Sequence, residues 1–127
     1  MKDKRLAVVI NKPVNEVFSY TTNPDNTSKW IDSVVHEETN EQPGLGTIYK
    51  NQNLHGDWSE YKMTEYDENN TFTMSQVGST YHVKYTFTPI DKDQTKFEYY
   101  EWVDSGILEE PFTQGTLEKL KNILESN

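Results

Sequence analysis

The sequence predicts an α+β fold: a seven-stranded curved antiparallel sheet, two short helices after its first strand, and a long C-terminal helix over the concave face. Three observations carry this expectation. Residues 12–30 place a short helical insertion between two strand-like segments. Residues 47–103 alternate strand-like runs with turns of hairpin length, and parallel neighbours would instead need crossovers of a dozen residues or more. The chain then closes on a segment whose apolar residues fall on one side of a helix.

The first strand is expected over residues 5–10. After it, Pro13 suits a first helical turn, where its missing N–H costs nothing, and Val14, Val17 and Phe18 recur three and four residues apart on one apolar face. Asn23-Pro24 then offers a cap residue followed by a proline at a first-turn position, so a second helix begins at once and ends on Trp30, an aromatic large enough to plug a core. A second strand is expected over 32–38, before the turn that runs from Glu41 through Pro43-Gly44-Leu45-Gly46. Five more follow over 47–53, 57–66, 71–77, 80–89 and 95–103. They are separated by His55-Gly56, Asp67-Glu68-Asn69-Asn70, Val77-Gly78 and Asp91-Lys92-Asp93, all turn-forming compositions. Glu109-Glu110-Pro111 announces the last helix, with acidic residues at the positive end of its dipole. On its wheel Phe112, Thr113, Thr116, Leu117, Leu120, Ile123 and Leu124 share one side, and Glu118, Lys121, Asn122 and Glu125 the other. A stripe of that width is expected against the concave face that a long antiparallel sheet forms as it twists. Gly115 inside this helix is expected to cost about 1 kcal/mol relative to alanine.

Composition bounds the function. A chain of 127 residues fits a single domain spanning 1–127, and roughly two thirds of its unfolded surface can be buried at that size. Twelve basic residues stand against 21 acidic ones, a net charge of −9, which repels nucleic acid and anionic lipid surfaces in the absence of a local basic patch. The one basic cluster, Lys2, Lys4 and Arg5, reads as a solvated arm. There is no cysteine, so disulfides, thiol nucleophiles and thiolate metal ligands are all excluded. No run of apolar residues is long enough for a membrane span or a signal peptide, and a cytoplasmic protein is expected. His36, His55 and His82 are far apart, none in a metal-ligand spacing, so neither a metal nor a cofactor is expected. His55 and His82 are expected to be exposed. Gly44-Leu45-Gly46 reads as a hairpin turn and not as a nucleotide loop.

The order strand, two short helices, six strands, long helix resembles the helix-grip fold of the START-like, Bet v 1-like superfamily, also labelled SRPBCC. The matching pieces are residues 13–20, Asn23-Pro24-Asp25, Trp30, the turn Pro43-Gly44-Leu45-Gly46-Thr47, Met63-Thr64-Glu65-Tyr66-Asp67 and Gln94-Thr95-Lys96-Phe97. The chain is short for the group, and Gln94 stands where many members carry glycine. The resemblance implies a cavity between sheet and last helix that takes lipids, sterols, polyketides or flavonoids. Across the superfamily some members are cyclases or dehydratases, others carry or sense ligands, and one branch assists a chaperone. Fold alone does not choose among these.

Phase supplies candidate pocket residues. Tyr81, Val83, Tyr85 and Phe87 alternate with polar neighbours and are expected to face inward. In the next strand Phe97, Tyr99, Glu101 and Val103 are taken as the inward phase, with Tyr100 and Trp102 outward. If Glu101 points into the cavity, desolvation raises its pKa and makes it a candidate acid or base; otherwise it is a strand-end carboxylate that reaches solvent or a neighbouring tyrosine hydroxyl. Phe112, Thr116 and Leu120 are expected to line the cavity from the helix. The hydroxyls of Thr113 and Thr116 would bond either a polar ligand atom or the preceding turn. Tyr49 could project toward the mouth, whereas Trp30, Trp58, Tyr61 and Met63 are read as packing. These features support three readings: a carrier or sensor of a small, mainly apolar molecule, acting as a monomer or weak dimer; a small cyclase- or dehydratase-type enzyme; or an outer-face protein-interaction module.

Overall fold

The structure, a computed structural model, describes residues 2–108 and 111–126. Its elements are β1 (Asp3–Ile10), α1 (Val14–Thr22), α2 (Pro24–Trp30), β2 (His36–Thr39), β3 (Ile48–Gln52), β4 (Trp58–Asp67), β5 (Thr71–Gln76), β6 (Tyr81–Asp91), β7 (Gln94–Val103) and α3 (Gln114–Glu125). The strands form one antiparallel sheet in the order β1-β7-β6-β5-β4-β3-β2. Strands β2 to β7 are joined as successive hairpins, whereas β1 pairs with β7. The chain between β1 and β2 must therefore cross from one edge of the sheet to the other, and α1 and α2 are that crossing. Register shifts at Thr64 in β4 and Ile90 in β6 bend the long strands, as bulges do.

The crossing is fixed by caps and anchors. Asn23 accepts a side-chain hydrogen bond from the Asp25 N–H at the start of α2, with Pro24 at its first position. The Tyr49 hydroxyl donates to the Thr22 carbonyl at 2.6 Å, tying the end of α1 to β3. This corrects the expectation that Tyr49 projects toward the mouth: it is buried, and burial holds its pKa above the usual phenol value. Phe18 meets Tyr66, Phe72 and Phe87 edge to face, and Trp30 does the same with Tyr85, Phe97 and Phe112. The two helices thus drive aromatic wedges into the concave face.

Helix α3 buries Leu117, Leu120 and Leu124 and packs along β1 and α2. Its polar residues finish the exposed edge of β1: Gln114 Nε2 donates to the Ala7 carbonyl at 2.9 Å and Lys121 Nζ to the Val9 carbonyl at 2.7 Å. An edge strand covered in this way offers fewer free carbonyls to another chain. Just past the C-terminal end of β1, Gln94 Nε2 donates to Asn11 Oδ1 at 2.7 Å, a hydrogen bond that a glycine there would lack.

Several expectations need correction. The last helix begins at Gln114, so Phe112 and Thr113 precede it, and Glu109 and Glu110 lie outside the described residues. Gly115 is the second helical residue, where few intrahelical hydrogen bonds depend on it, so the interior-glycine cost does not apply. Strand β2 is only His36–Thr39, because Ile31 caps α2 and a turn follows it. Trp58 lies on the face opposite Tyr61 and Met63 and is 50% exposed, with His36 edge-on to its ring. His82 is half-buried: it stacks on Trp102 and bonds both Ser75 and Asp104.

Candidate functional site

A cavity of about 720 Å³ lies between the concave face of β4 to β7, the end of α2, and the loop that precedes α3. Its floor is aromatic and aliphatic because β5 and β6 turn alternate residues inward: Phe72 and Met74 from one strand, Tyr81, Val83 and Tyr85 from the other. Tyr99 and Glu101 continue the floor on β7, directly opposite Tyr85 and Val83 in the ladder. Trp30 and Ile31 close one side, and Leu108 and Phe112 another. Phe112 stacks on Tyr99 with ring centroids 4.3 Å apart. The exposed residues Ser79, Ser105 and Gly106 form the rim.

Glu101 is 2% exposed. One carboxylate oxygen accepts from the Tyr81 hydroxyl at 2.9 Å and the other from the Phe112 N–H at 2.7 Å, while the Tyr81 and Tyr99 hydroxyls lie 3.2 Å apart. Burial raises the Glu101 pKa; the Phe112 N–H, the two tyrosines and the charge of Lys4, its partner on β1, oppose the rise without cancelling it. Burial also raises the pKa values of Tyr81, Tyr85 and Tyr99, so all three phenols are neutral donors. The inward phase places Glu101 inside, bonded to a tyrosine hydroxyl.

A second carboxylate enters from the far side. Glu37 on β2 accepts from the Thr27 hydroxyl at 2.5 Å and from Asn51 Nδ2 at 3.3 Å, and burial raises its pKa as well. Tyr85 is 8% exposed, and its hydroxyl has no hydrogen-bond partner among the described residues, although its ring feels the charges of both Glu37 and Glu101.

Of the residues singled out in the sequence, Tyr81, Val83, Tyr85, Tyr99, Glu101 and Phe112 line this cavity. Phe87, Thr116 and Leu120 do not. Phe87 lies two residues beyond Tyr85, where Phe18 covers it at 5.0 Å. Leu120 is spent in packing α3, and Thr116 is half-buried off the wall. The sequence alone does not single out Glu37 and favours packing over ligand contact for Trp30 and Tyr61, yet all three are on the wall. The alternation of half-buried Glu37 and Thr39 with exposed His36 and Glu38 was the available signal, but a four-residue strand has no readable phase until its partner is known. Among the described residues no group of three or more acidic or histidine side chains is arranged to hold a metal.

A curled sheet gripping a C-terminal helix around an aromatic cavity defines a helix-grip domain of the START-like, Bet v 1-like superfamily. Residues 3–125 match a family described as "Polyketide cyclase / dehydrase and lipid transport", and the chain belongs to that family. No curated protein matches it by sequence. Solved structures share its fold at low identity, these three among them. A conserved protein of unknown function from Enterococcus faecalis is 15% identical with a TM-score of 0.77, over 96% of this chain and 70% of that one. The Aha1 dimer of Colwellia psychrerythraea is 16% identical with a TM-score of 0.70, over 98% and 97%. A point mutant of norcoclaurine synthase from Thalictrum flavum, in complex with a transition-state analogue, is 15% identical with a TM-score of 0.66, over 98% and 94%. No helix among the described residues is long and apolar enough to cross a membrane.

Proposed function

We propose that this protein binds one small, mainly apolar molecule of lipid-, polyketide- or flavonoid-like character in the cavity under α2 and the loop before α3, as a cytoplasmic carrier or sensor. The observation that carries the reading is the cavity itself: about 720 Å³ walled by Phe72, Tyr81, Tyr85, Tyr99 and Trp30, a size and composition suited to a ligand that is largely desolvated when bound. The unpartnered Tyr85 hydroxyl supplies a point of orientation. Native mass spectrometry of freshly purified protein is expected to show a bound species of a few hundred daltons, and Tyr85→Ala is expected to lose it. Uptake left intact by Tyr85→Ala would sink the reading.

One observation favours a second reading, an acid–base enzyme of the cyclase or dehydratase kind. Burial raises the Glu101 pKa and a tyrosine hydroxyl is hydrogen-bonded to it, features that suit a carboxyl to general acid–base work. Turnover that disappears in Glu101→Gln while ligand binding persists would select this reading over a carrier.

A further inference from the structure

We propose that the cavity selects ligands carrying a positively charged nitrogen, with Glu37 as the counter-ion. The inference rests on reading the cavity as a ligand site and names the chemical class of its ligand. Among the described residues that line the cavity there is no lysine, arginine or histidine, whereas two carboxylates, Glu37 and Glu101, face it from different strands. Both are short of counter-charge. Glu37 is held by two neutral donors, the Thr27 hydroxyl from α2 and the Asn51 amide from β3, and its other polar neighbours, Tyr49 and Tyr61, are neutral phenols. Glu101 faces Tyr81, Tyr99 and the Phe112 N–H, with Lys4 of β1 as its only nearby cation among the described residues, off the cavity wall.

A buried carboxylate without a counter-ion is unfavourable, and a cation that reaches it in a poorly hydrated site is held more strongly than it would be in water. An independent feature points to the same occupant. Tyr85 is 8% exposed on the cavity wall, and its hydroxyl, without a partner among the described residues, feels both carboxylates. It offers an oxygen acceptor to an N–H group drawn in by those charges. The chain's net charge of −9 further favours approach of cations and opposes that of carboxylate amphiphiles such as fatty acids.

Fluorescence titration with three probes that share one ring tests this: the naphthylmethylammonium ion, naphthylmethanol and naphthoate. The ammonium is expected to bind about 10- to 100-fold more tightly than the alcohol, the range a hydrogen bond to a charged group supports, with naphthoate weakest. Acidification through the raised Glu37 pKa is expected to weaken the ammonium, because protonation removes the counter-charge while the alcohol loses no ion pair. In Glu37→Gln the ratio of ammonium to alcohol affinity is expected to collapse toward one. Should that variant not fold, the wild-type pH profile decides: an ammonium preference unmoved by acid overturns the proposal. Alcohol binding as tight as ammonium binding overturns it while leaving the cavity reading intact. If none of the three probes binds, the cavity reading fails and this inference fails with it.

Discussion

The two faces of strands β6 and β7 carry similar chemistry arranged to opposite ends. On the convex face Arg5 lies 3.7 Å above the Tyr100 ring, Tyr100 stacks on Trp102, and Trp102 stacks on His82. His82 in turn bonds the Ser75 hydroxyl and the Asp104 carboxylate, both at 2.7 Å. Arg5 has the Tyr100 ring, the Tyr100 hydroxyl donates to Asp3 and both His82 nitrogens are bonded, so the charged and titratable groups of that stack have partners in the protein. On the concave face tyrosines and carboxylates again meet, but among the described residues Tyr85 keeps a free hydroxyl and Glu37, on β2, has no cation beside it. Self-satisfied groups make a surface, and unsatisfied groups around a void make a binding site. The Ser75-His82-Asp104 chain does not alter that contrast: it lies on the outer face, outside the cavity, with Asp104 exposed.

The contrast can be broken most sharply at Trp30, whose ring meets three others on the concave side. Trp30→Ala is expected to cost about 3–5 kcal/mol in denaturant unfolding, the range for removing a large aromatic from a core. A loss below about 1 kcal/mol would mean that the cavity collapses easily and that its volume is not a fixed property.

Next comes Tyr85, where ligand affinity and stability are expected to part. Tyr85→Ala is expected to weaken uptake at least about tenfold, equivalent to about 1.4 kcal/mol. Tyr85→Phe is expected to leave the melting temperature unchanged or slightly raised, because the hydroxyl it removes has no partner to lose.

A smaller effect should appear in the pH dependence of stability. Burial raises the folded-state pKa values of Glu37 and Glu101 above the ordinary carboxylate value of 4.5. Between that value and the raised ones the folded state holds more protons than the unfolded state, so these two groups lower stability as pH rises through the window. Thermal melts of Glu37→Gln and Glu101→Gln from pH 4 to 8 are expected to show a shallower decline than the wild type. A decline that is unchanged in both variants would show that neither carboxyl is desolvated enough to matter. Glu65 and Glu125, whose pKa values are lowered by hydrogen bonds and lysine partners, act with the opposite sign at lower pH, losing their contribution as pH falls below 4.5.

The smallest effect belongs to the convex face. His82→Ala is expected to cost about 0.5 kcal/mol, the low end of what a partly exposed hydrogen bond contributes, with no change in ligand uptake. A change in uptake would mean that the two faces are coupled through β6.

Much of this was legible from residues alone. The alternation of Tyr81, Val83, Tyr85 and Phe87, the cap at Asn23-Pro24 and the leucine stripe of the last helix are local patterns, set by strand and helix periods, and each identified its element and its buried face. Glu101 is legible for the same reason: with Phe97 and Tyr99 inward, a period of two carries Glu101 with them. The cavity wall was not legible in full. Phe87 obeys the same phase as Tyr85, yet a ring from α1 covers it; Leu120 belongs to the right stripe, yet packs away from the void; and Glu37 lies in a strand too short to have a phase before it is paired. Periodicity says which way a side chain points, while what it meets there depends on elements distant in sequence. The sequence by itself therefore determined the fold, the inward faces and the aromatic character of the interior. Only the tertiary structure decided where the packing stops, and with it which polar groups are left facing the void.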